Sequence, residues 1–347
     1  MKESNTQFEQ RKRDHIRIAL DPRSQAEGQT GLNSVHLIHE ALPDLALKEV
    51  DISTSFSFGA QTLSLSSPLF ISSMTAGHEQ GQRINEALAQ LSDRRQILMG
   101  VGSQRRELED AQASREWLRV RQMAPRARLL GNIGIAQLIQ SPIDGVRRLI
   151  ESTEAVALFV HLNPLQEALQ PEGTTDFRQG LAAIENLVQL AGVPVIVKEV
   201  GCGFSVATLK RLQETGVFAI DISGKGGTHW GRIEGLRSEE DALLYKVAQT
   251  FGNWGFSTLE SLQNARKAEL KCEIWASGGV RNGLEVAKLC ALGAQKVGVA
   301  KPFLEAALSG DKALEELVQK MEMELKIAMF CTGSRNLKEL QTKRVIQ

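Results

Sequence analysis

The stretch CEIWASGGVRNGLEVAKLCALGAQKVGVAKP (272–302) decides the fold. It opens with an apolar run, CEIWASGG (272–279), and closes with another, KVGVAKP (296–302). Neither run alternates, and near-continuous apolar runs are how strands covered on both faces of a parallel sheet read. Between them GLEVAKLCALGA (283–294) sets Leu284, Ala287, Lys288 and Ala291 at i, i+3, i+4 and i+7, with Leu289 and Leu292 beside them. That spacing is helical. Strand, helix, strand is one unit of an α/β fold.

The same rhythm extends backwards from here. Short apolar segments occur at 68–74, 96–102, 128–134, 156–162, 194–201 and 217–224, with helical patterns between them. SVATLKRLQETG (205–216) starts on Ser205 and ends on Gly216, an N-cap and a C′ glycine. Eight repeats of strand and helix predict a closed (β/α)₈ TIM barrel rather than an open doubly wound sheet. The barrel domain is expected over 68–347. Residues 1–67 precede it as an arm plus SFSFGAQTLSLS (55–66), which reads as a hairpin turning at Gly59 beneath the barrel. The Gly-rich stretch 224–256, including GKGGTHWGRIEG, reads as a long functional loop leaving a strand end.

Composition excludes several classes. Lys+Arg and Asp+Glu are 41 each, so no whole-surface attraction to nucleic acid or an acidic membrane is expected. The apolar fraction of 42% and charged fraction of 24% are those of an ordinary globular chain. Cys202, Cys272, Cys290 and Cys331 form no C-x-x-C pair, which fits a reducing compartment. The polar start MKESNTQFEQRKRDHIRIAL lacks the apolar stretch of a signal peptide, and no run nears the ~18 residues of a membrane span. A cytoplasmic protein is expected.

Barrel active sites lie at the C-terminal ends of the strands. Those ends carry Ser73-Met74-Thr75-Ala76, Ser103-Gln104-Arg105-Arg106, Asn132, His161 to Glu167, Lys198-Glu199, Ser223 to Thr228, Ser277 to Arg281 and Ala300-Lys301. The loops after strands seven and eight commonly bind phosphate, and Gly278, Gly279 and Ala300 leave backbone N–H groups accessible there. Lys198, inside the apolar run PVIVKEV, is either an ion-pair partner of Glu199 or Asp221 or a cation held at the mouth to stabilise negative charge. With Thr75, Ser103 and Asn132 it suits a flat heteroaromatic ligand such as flavin mononucleotide (FMN). Glu167 is either a carboxylate placed for the dipole at a helix start or a ligand for Mg²⁺. His161 alone reads as a hydrogen-bonded core histidine. Arg11, Lys12, Arg13, His15, Arg17, Arg105 and Arg106 are either a solvated face or a diphosphate clamp.

HLNPLQE (161–167), VKEVG (197–201), DISGKGGT (221–228), SGGVRNG (277–283) and Arg11-Lys12-Arg13-Asp14-His15 together resemble the type 2 isopentenyl-diphosphate isomerases, over nearly the whole chain. The resemblance implies that isopentenyl and dimethylallyl diphosphate are interconverted for isoprenoid synthesis, with reduced FMN, Mg²⁺ and NADPH as reductant. It implies flavin contacts at Ser73, Met74, Thr75, Ser103, Asn132, Lys198, Ser223 and Thr228. Phosphate contacts would come from Gly279, Val280, Arg281, Ala300 and Lys301. The prenyl diphosphate would meet Arg11, Lys12, Ser103, Gln104, Arg105, His161, Asn163 and Gln166. Gln166, Glu167 and Lys198 would be catalytic, with Glu167 on the metal. A homo-oligomer, tetramer or octamer, is also implied. Ala76 stands where that family has glycine. Two rivals remain: a flavin-dependent 2-hydroxyacid oxidase using His229 and Arg232, and a phosphate-binding barrel without chemistry.

Overall fold

The computed structural model describes residues 5–26, 30–76, 78–343 and 345–346. Eight parallel strands close into a barrel: Leu69–Ile71, Leu98–Gly100, Arg128–Gly134, Ala157–Leu162, Val195–Glu199, Ala219–Asp221, Glu273–Ala276 and Lys296–Val299. They are called the first to eighth strands below. The eighth pairs with the first in the register Val297↔Leu69, which completes the ring. All eight fall inside the apolar runs read from sequence, and the third and fourth strands are buried along almost their whole length.

Within each strand, alternate residues point into the barrel. At the lower level these are Phe70, Leu98, Leu130, Phe159, Ile196, Ala219 and Trp275. Trp275 packs tilted on Phe70 at 5.1 Å and edge-on to Phe159 at 6.0 Å between ring centroids. The antiparallel hairpin Thr54–Phe58 and Gln61–Leu65 adds Phe56 and Leu65 to this cluster. Lys296 is almost wholly buried beside it, and its ammonium donates to the Ser55 carbonyl at 2.9 Å. The bottom of the barrel is therefore a packed apolar plug. The larger core lies between the outer faces of the strands and the surrounding helices.

The helices also obey local signals. Ser205 caps Val206–Glu214 by accepting from the Thr208 N–H, and Gly216 beyond its end sits at φ 78°. Asn282 caps Gly283–Ala291 in the same way. The stretch 224–256 departs from its reading as a loop, because it holds two helices, Trp230–Arg237 and Leu243–Thr250. Glycine content hid the spacing of Trp230, Ile233, Glu234 and Arg237, which is i, i+3, i+4, i+7. Among the described residues no helix is long and apolar enough to cross a membrane.

Candidate active site

One step of strand alternation above the plug, the inward positions turn polar. Two residues beyond Leu130, Phe159, Ile196, Ala219 and Trp275 stand Asn132, His161, Lys198, Asp221 and Ser277. Lys198 lies opposite His161 in one neighbouring strand and opposite Asp221 in the other. A cavity opens over this layer at the C-terminal mouth, and every residue that the resemblance assigns to flavin, phosphate, substrate or metal lines it except Thr75 and Gln104.

Lys198 is 6% exposed, and its ammonium donates to the main-chain carbonyl of Glu199 at 2.6 Å. Burial lowers its pKa, and the charges of Asp221 and Glu199 oppose that shift. Neither carboxylate pairs with it directly. Glu199 Oε2 instead accepts from the N–H groups of Val200, Gly201 and Cys202, while burial pushes the acid up to about 7. Asp221 accepts from Ser277 Oγ at 2.8 and 2.9 Å. Lys198 thus lines the cavity as a buried lysine that donates to a carbonyl and is flanked by carboxylates that favour its charged form.

His161 Nδ1 lies 2.9 Å from Asn132 Oδ1. Burial and then the charges of Lys198 and Lys12 lower its pKa to about 3, so the ring is neutral. Asn163 Nδ2 donates to Gln166 Oε1 and Glu167 Oε1, each at 3.1 Å. Glu167 is 5% exposed, and its Oε2 accepts from the Thr174 N–H at 2.5 Å. Among the described residues no cluster of three or more metal-ligating side chains exists. Glu167 is the carboxylate for which the sequence leaves open a helix-start role or Mg²⁺ binding, and two donors leave it lone pairs to spare.

On the opposite side, Gly278 and Gly279 adopt φ 106° and 75°. A Cβ on Gly278 would meet the Gly224 carbonyl oxygen at 2.0 Å, and one on Gly279 the Gly226 backbone at 2.4 Å. The glycines are needed because two loops cross backbone to backbone, a different reason from the open space expected above. Next to them the helix Lys301–Ser309 begins, with Ala300 as its cap residue making no side-chain bond to it. Lys301 and Arg281 line this side of the cavity, the Lys301 ammonium donating to the Leu20 carbonyl at 3.4 Å and the Arg281 guanidinium to Gln25 Oε1 at 2.9 Å. Such a helix N-terminus favours an anion.

The N-terminal helix Asn5–Leu20 contributes side chains to the cavity wall. Arg11, Lys12 and His15 turn inward and are buried, whereas Arg13 and Arg17 stay outside with Glu9 and Asp14. Arg11 and Lys12 lie over the Phe8 ring at 5.3 and 5.4 Å. The helix is fastened by Glu234, which is fully buried, and whose carboxylate meets His15 at 3.0 Å, Arg237 at 2.6 Å and Gln166 Nε2 at 2.9 Å. Burial opposes ionisation, but these partners hold Glu234 at about 2. With its amide oriented to suit both neighbours, Gln170 donates to Glu234 at 3.2 Å and accepts from Arg11 at 2.9 Å. Glu234, Arg237, Gln170 and Trp230 were missed in the sequence reading. The helical spacing in WGRIEGLR was the signal available.

Three expected contacts lie elsewhere. Gln104 is 1% exposed and spends its amide on backbone, donating to Leu149 O and accepting from Asn132 N, both at 2.9 Å. Thr75 lines an adjoining apolar recess with Met74 and Trp230, and its hydroxyl is 3.0 Å from His78 Nε2. His229, the base of the oxidase alternative, caps Trp230–Arg237. Its Nδ1 accepts from Arg232 N–H, which leaves Nε2 to donate to the Trp254 carbonyl at 3.2 Å. It is 1% exposed and committed to structure.

A polar mouth on a closed parallel barrel defines the class. Residues 160–347 match the model of the FMN-dependent dehydrogenase family. The fold is shared with a putative lactate oxidase of Pediococcus acidilactici at 15% identity, covering 96% of this chain and 93% of the other with a TM-score of 0.65. It is also shared with flavocytochrome b2 at 18% identity, covering 94% and 79% with a TM-score of 0.63. Within that class, an isopentenyl-diphosphate delta-isomerase of Bdellovibrio bacteriovorus is 76% identical over 347 residues, the whole of both chains. Enzymes of the same name from Legionella pneumophila and Halobacterium salinarum are 51% and 45% identical, covering 99% and 98% of this chain and 99% and 93% of their own. The chain belongs to the isopentenyl-diphosphate delta-isomerase family and is an enzyme of that class.

Proposed function

We propose that the protein interconverts isopentenyl and dimethylallyl diphosphate at the barrel mouth, with FMN and Mg²⁺. The observation that carries this reading is one cavity lined by the start of the helix Lys301–Ser309 with Arg281, by the buried basic side chains Arg11 and Lys12, and by Lys198. The cavity also presents polar atoms awaiting partners: Ser72 Oγ, Ser73 Oγ and Asn163 Oδ1 are buried there without a hydrogen-bond partner. Such atoms are costly unless a ligand satisfies them. They suit a heteroatom-rich ring and a diphosphate.

In this reading Gly279, Val280, Arg281, Ala300 and Lys301 hold the FMN phosphate. Ser73, Met74, Ser103, Lys198, Ser223 and Thr228 surround the ring. FMN, when bound and reduced, supplies an electron-rich acid–base surface for a reaction with no net redox change. Lys198 places a fixed positive charge beside it. Arg11, Lys12 and Arg105 bind the diphosphate, and Glu167 with that diphosphate holds Mg²⁺. Gln166, held by Glu234 and Asn163, orients the alkene end. The helix Asn5–Leu20 and Trp230 keep water from the site, which a reaction through carbocation-like character requires. NADPH as reductant, cytoplasmic residence and assembly into a homo-oligomer belong to the same proposal.

The test is turnover with and without reduction. FMN-loaded protein with isopentenyl diphosphate and Mg²⁺ should give dimethylallyl diphosphate only after the flavin is reduced, and without consuming the reductant further. Oxidised product, or equal turnover by flavin-free protein, would overturn the reading.

A further inference from the structure

Asn132 lines the cavity, and each end of its carboxamide also has a partner within the protein. Its Nδ2 donates to the Val101 carbonyl at 3.1 Å. A carbonyl only accepts, so this bond fixes which end of the amide faces His161. The end facing His161 Nδ1 is Oδ1, also only an acceptor. His161 Nδ1 must therefore carry a hydrogen. The backbone of Asn132 is held just as firmly, by Gln104 N donating to Asn132 O and Gln104 Oε1 accepting from Asn132 N, both at 2.9 Å. Gln104 in turn donates to Leu149 O.

The consequence falls on the other ring nitrogen. A neutral imidazole carries one hydrogen. With that hydrogen on Nδ1, Nε2 is a bare acceptor, and the His161 ring lines the cavity. The charged groups about it are Lys198 on the neighbouring strand, Lys12 and Arg11 from the N-terminal helix, and Glu167 from the helix Pro164–Leu169. The two lysines favour the neutral ring. An anionic phosphate oxygen offers no hydrogen to a bare nitrogen.

We infer that Asn132, held by Gln104, fixes neutral His161 with its hydrogen on Nδ1, so that His161 meets a diphosphate oxygen only by taking up a second proton at Nε2. The proton comes from solvent and yields the imidazolium, which donates at both nitrogens. Asn132 and Gln104 are positioning residues that act through His161. The first half needs no ligand, and the second rests on the prenyl-diphosphate reading.

Nitrogen-15 NMR of FMN-loaded protein with labelled histidine tests it, the His161 signal being the one lost in His161→Asn. Before diphosphate is added, Nε2 should be bare and Nδ1 protonated. In Asn132→Ala the hydrogen should move to Nε2. Saturation with isopentenyl diphosphate and Mg²⁺ should protonate both nitrogens in the wild type. A protonated Nε2 in the ligand-free wild type, or a bare one in the saturated complex, would overturn the inference. The wild-type spectra decide even if Asn132→Ala does not fold. Inorganic diphosphate is run alongside: protonation with it, without turnover of the prenyl ester, would sink the functional proposal and leave this inference standing.

Discussion

Phe159 and His161 stand two residues apart on one strand, point the same way, and do opposite work. The first closes the barrel floor, and the second faces the cavity. The polar layer at His161 has an energetic signature. Its folded pKa of about 3 lies below the ordinary 6.5, so the unfolded chain binds a proton that the folded chain refuses. Stability should therefore fall as pH drops from 6.5 toward 3. His161→Asn should remove part of that slope, leaving the shares of His78, which burial lowers to about 4, and of His15 and His229, which burial also lowers. Urea midpoints measured across this range check it; an unchanged slope would mean that His161 is not held neutral. Glu234 makes a sharper prediction. Glu234→Ala takes the buried acceptor from His15 and leaves Arg237 with Glu172 alone at 3.1 Å, and breaking such a buried pair costs up to about 3–5 kcal/mol. A loss below ~1 kcal/mol in denaturant unfolding would show the network to be dispensable.

At the scale of elements, the barrel strands were legible because burial on both faces leaves apolar runs with no alternation to misread. Helix caps were legible at Ser205 because a hydroxyl before an apolar helix has one local use. The helix Trp230–Arg237 was not, since its two glycines, Gly231 and Gly235, and the preceding Gly224, Gly226 and Gly227 look like loop residues. Gly235 is there for packing: a Cβ on it would meet Ala248 at 2.6 Å in the following helix. The N-terminal helix was read as an arm of undecided use, because charge counting does not tell which side of a helix faces a ligand. The structure divides it, with Arg11, Lys12 and His15 inward and Arg13 and Arg17 outward. Replacing Arg11 and Lys12 together by Ala keeps helix propensity. Two charge-assisted contacts of ~1.5–3 kcal/mol each would be lost, which predicts a KM raised by about 100-fold or more with FMN content unchanged. An unaltered KM would return both residues to a merely structural role.

At the scale of the whole molecule, the chain builds an apolar plug and a polar mouth from the same eight strands, and the transition takes one step of alternation. Position along a strand could be read from sequence, so most of the candidate site was found. Direction could not. Gln104 ends a strand as a ligand-binding residue would, yet its side chain turns to backbone. His229 sits in a glycine-rich segment as a catalytic base would, yet it caps a helix. Such outcomes depend on which partner a polar group meets across the fold, and Leu149 and Trp254 are far from them in sequence. The central claim is that this mouth moves protons on a prenyl diphosphate without net oxidation. The most direct measurement is anaerobic incubation of the reduced, FMN-loaded protein with isopentenyl diphosphate and Mg²⁺ in D₂O. The account predicts dimethylallyl diphosphate carrying deuterium, with the flavin still reduced at the end. Recovery of unlabelled isopentenyl diphosphate alone, or a product formed with oxidation of the flavin, would contradict it.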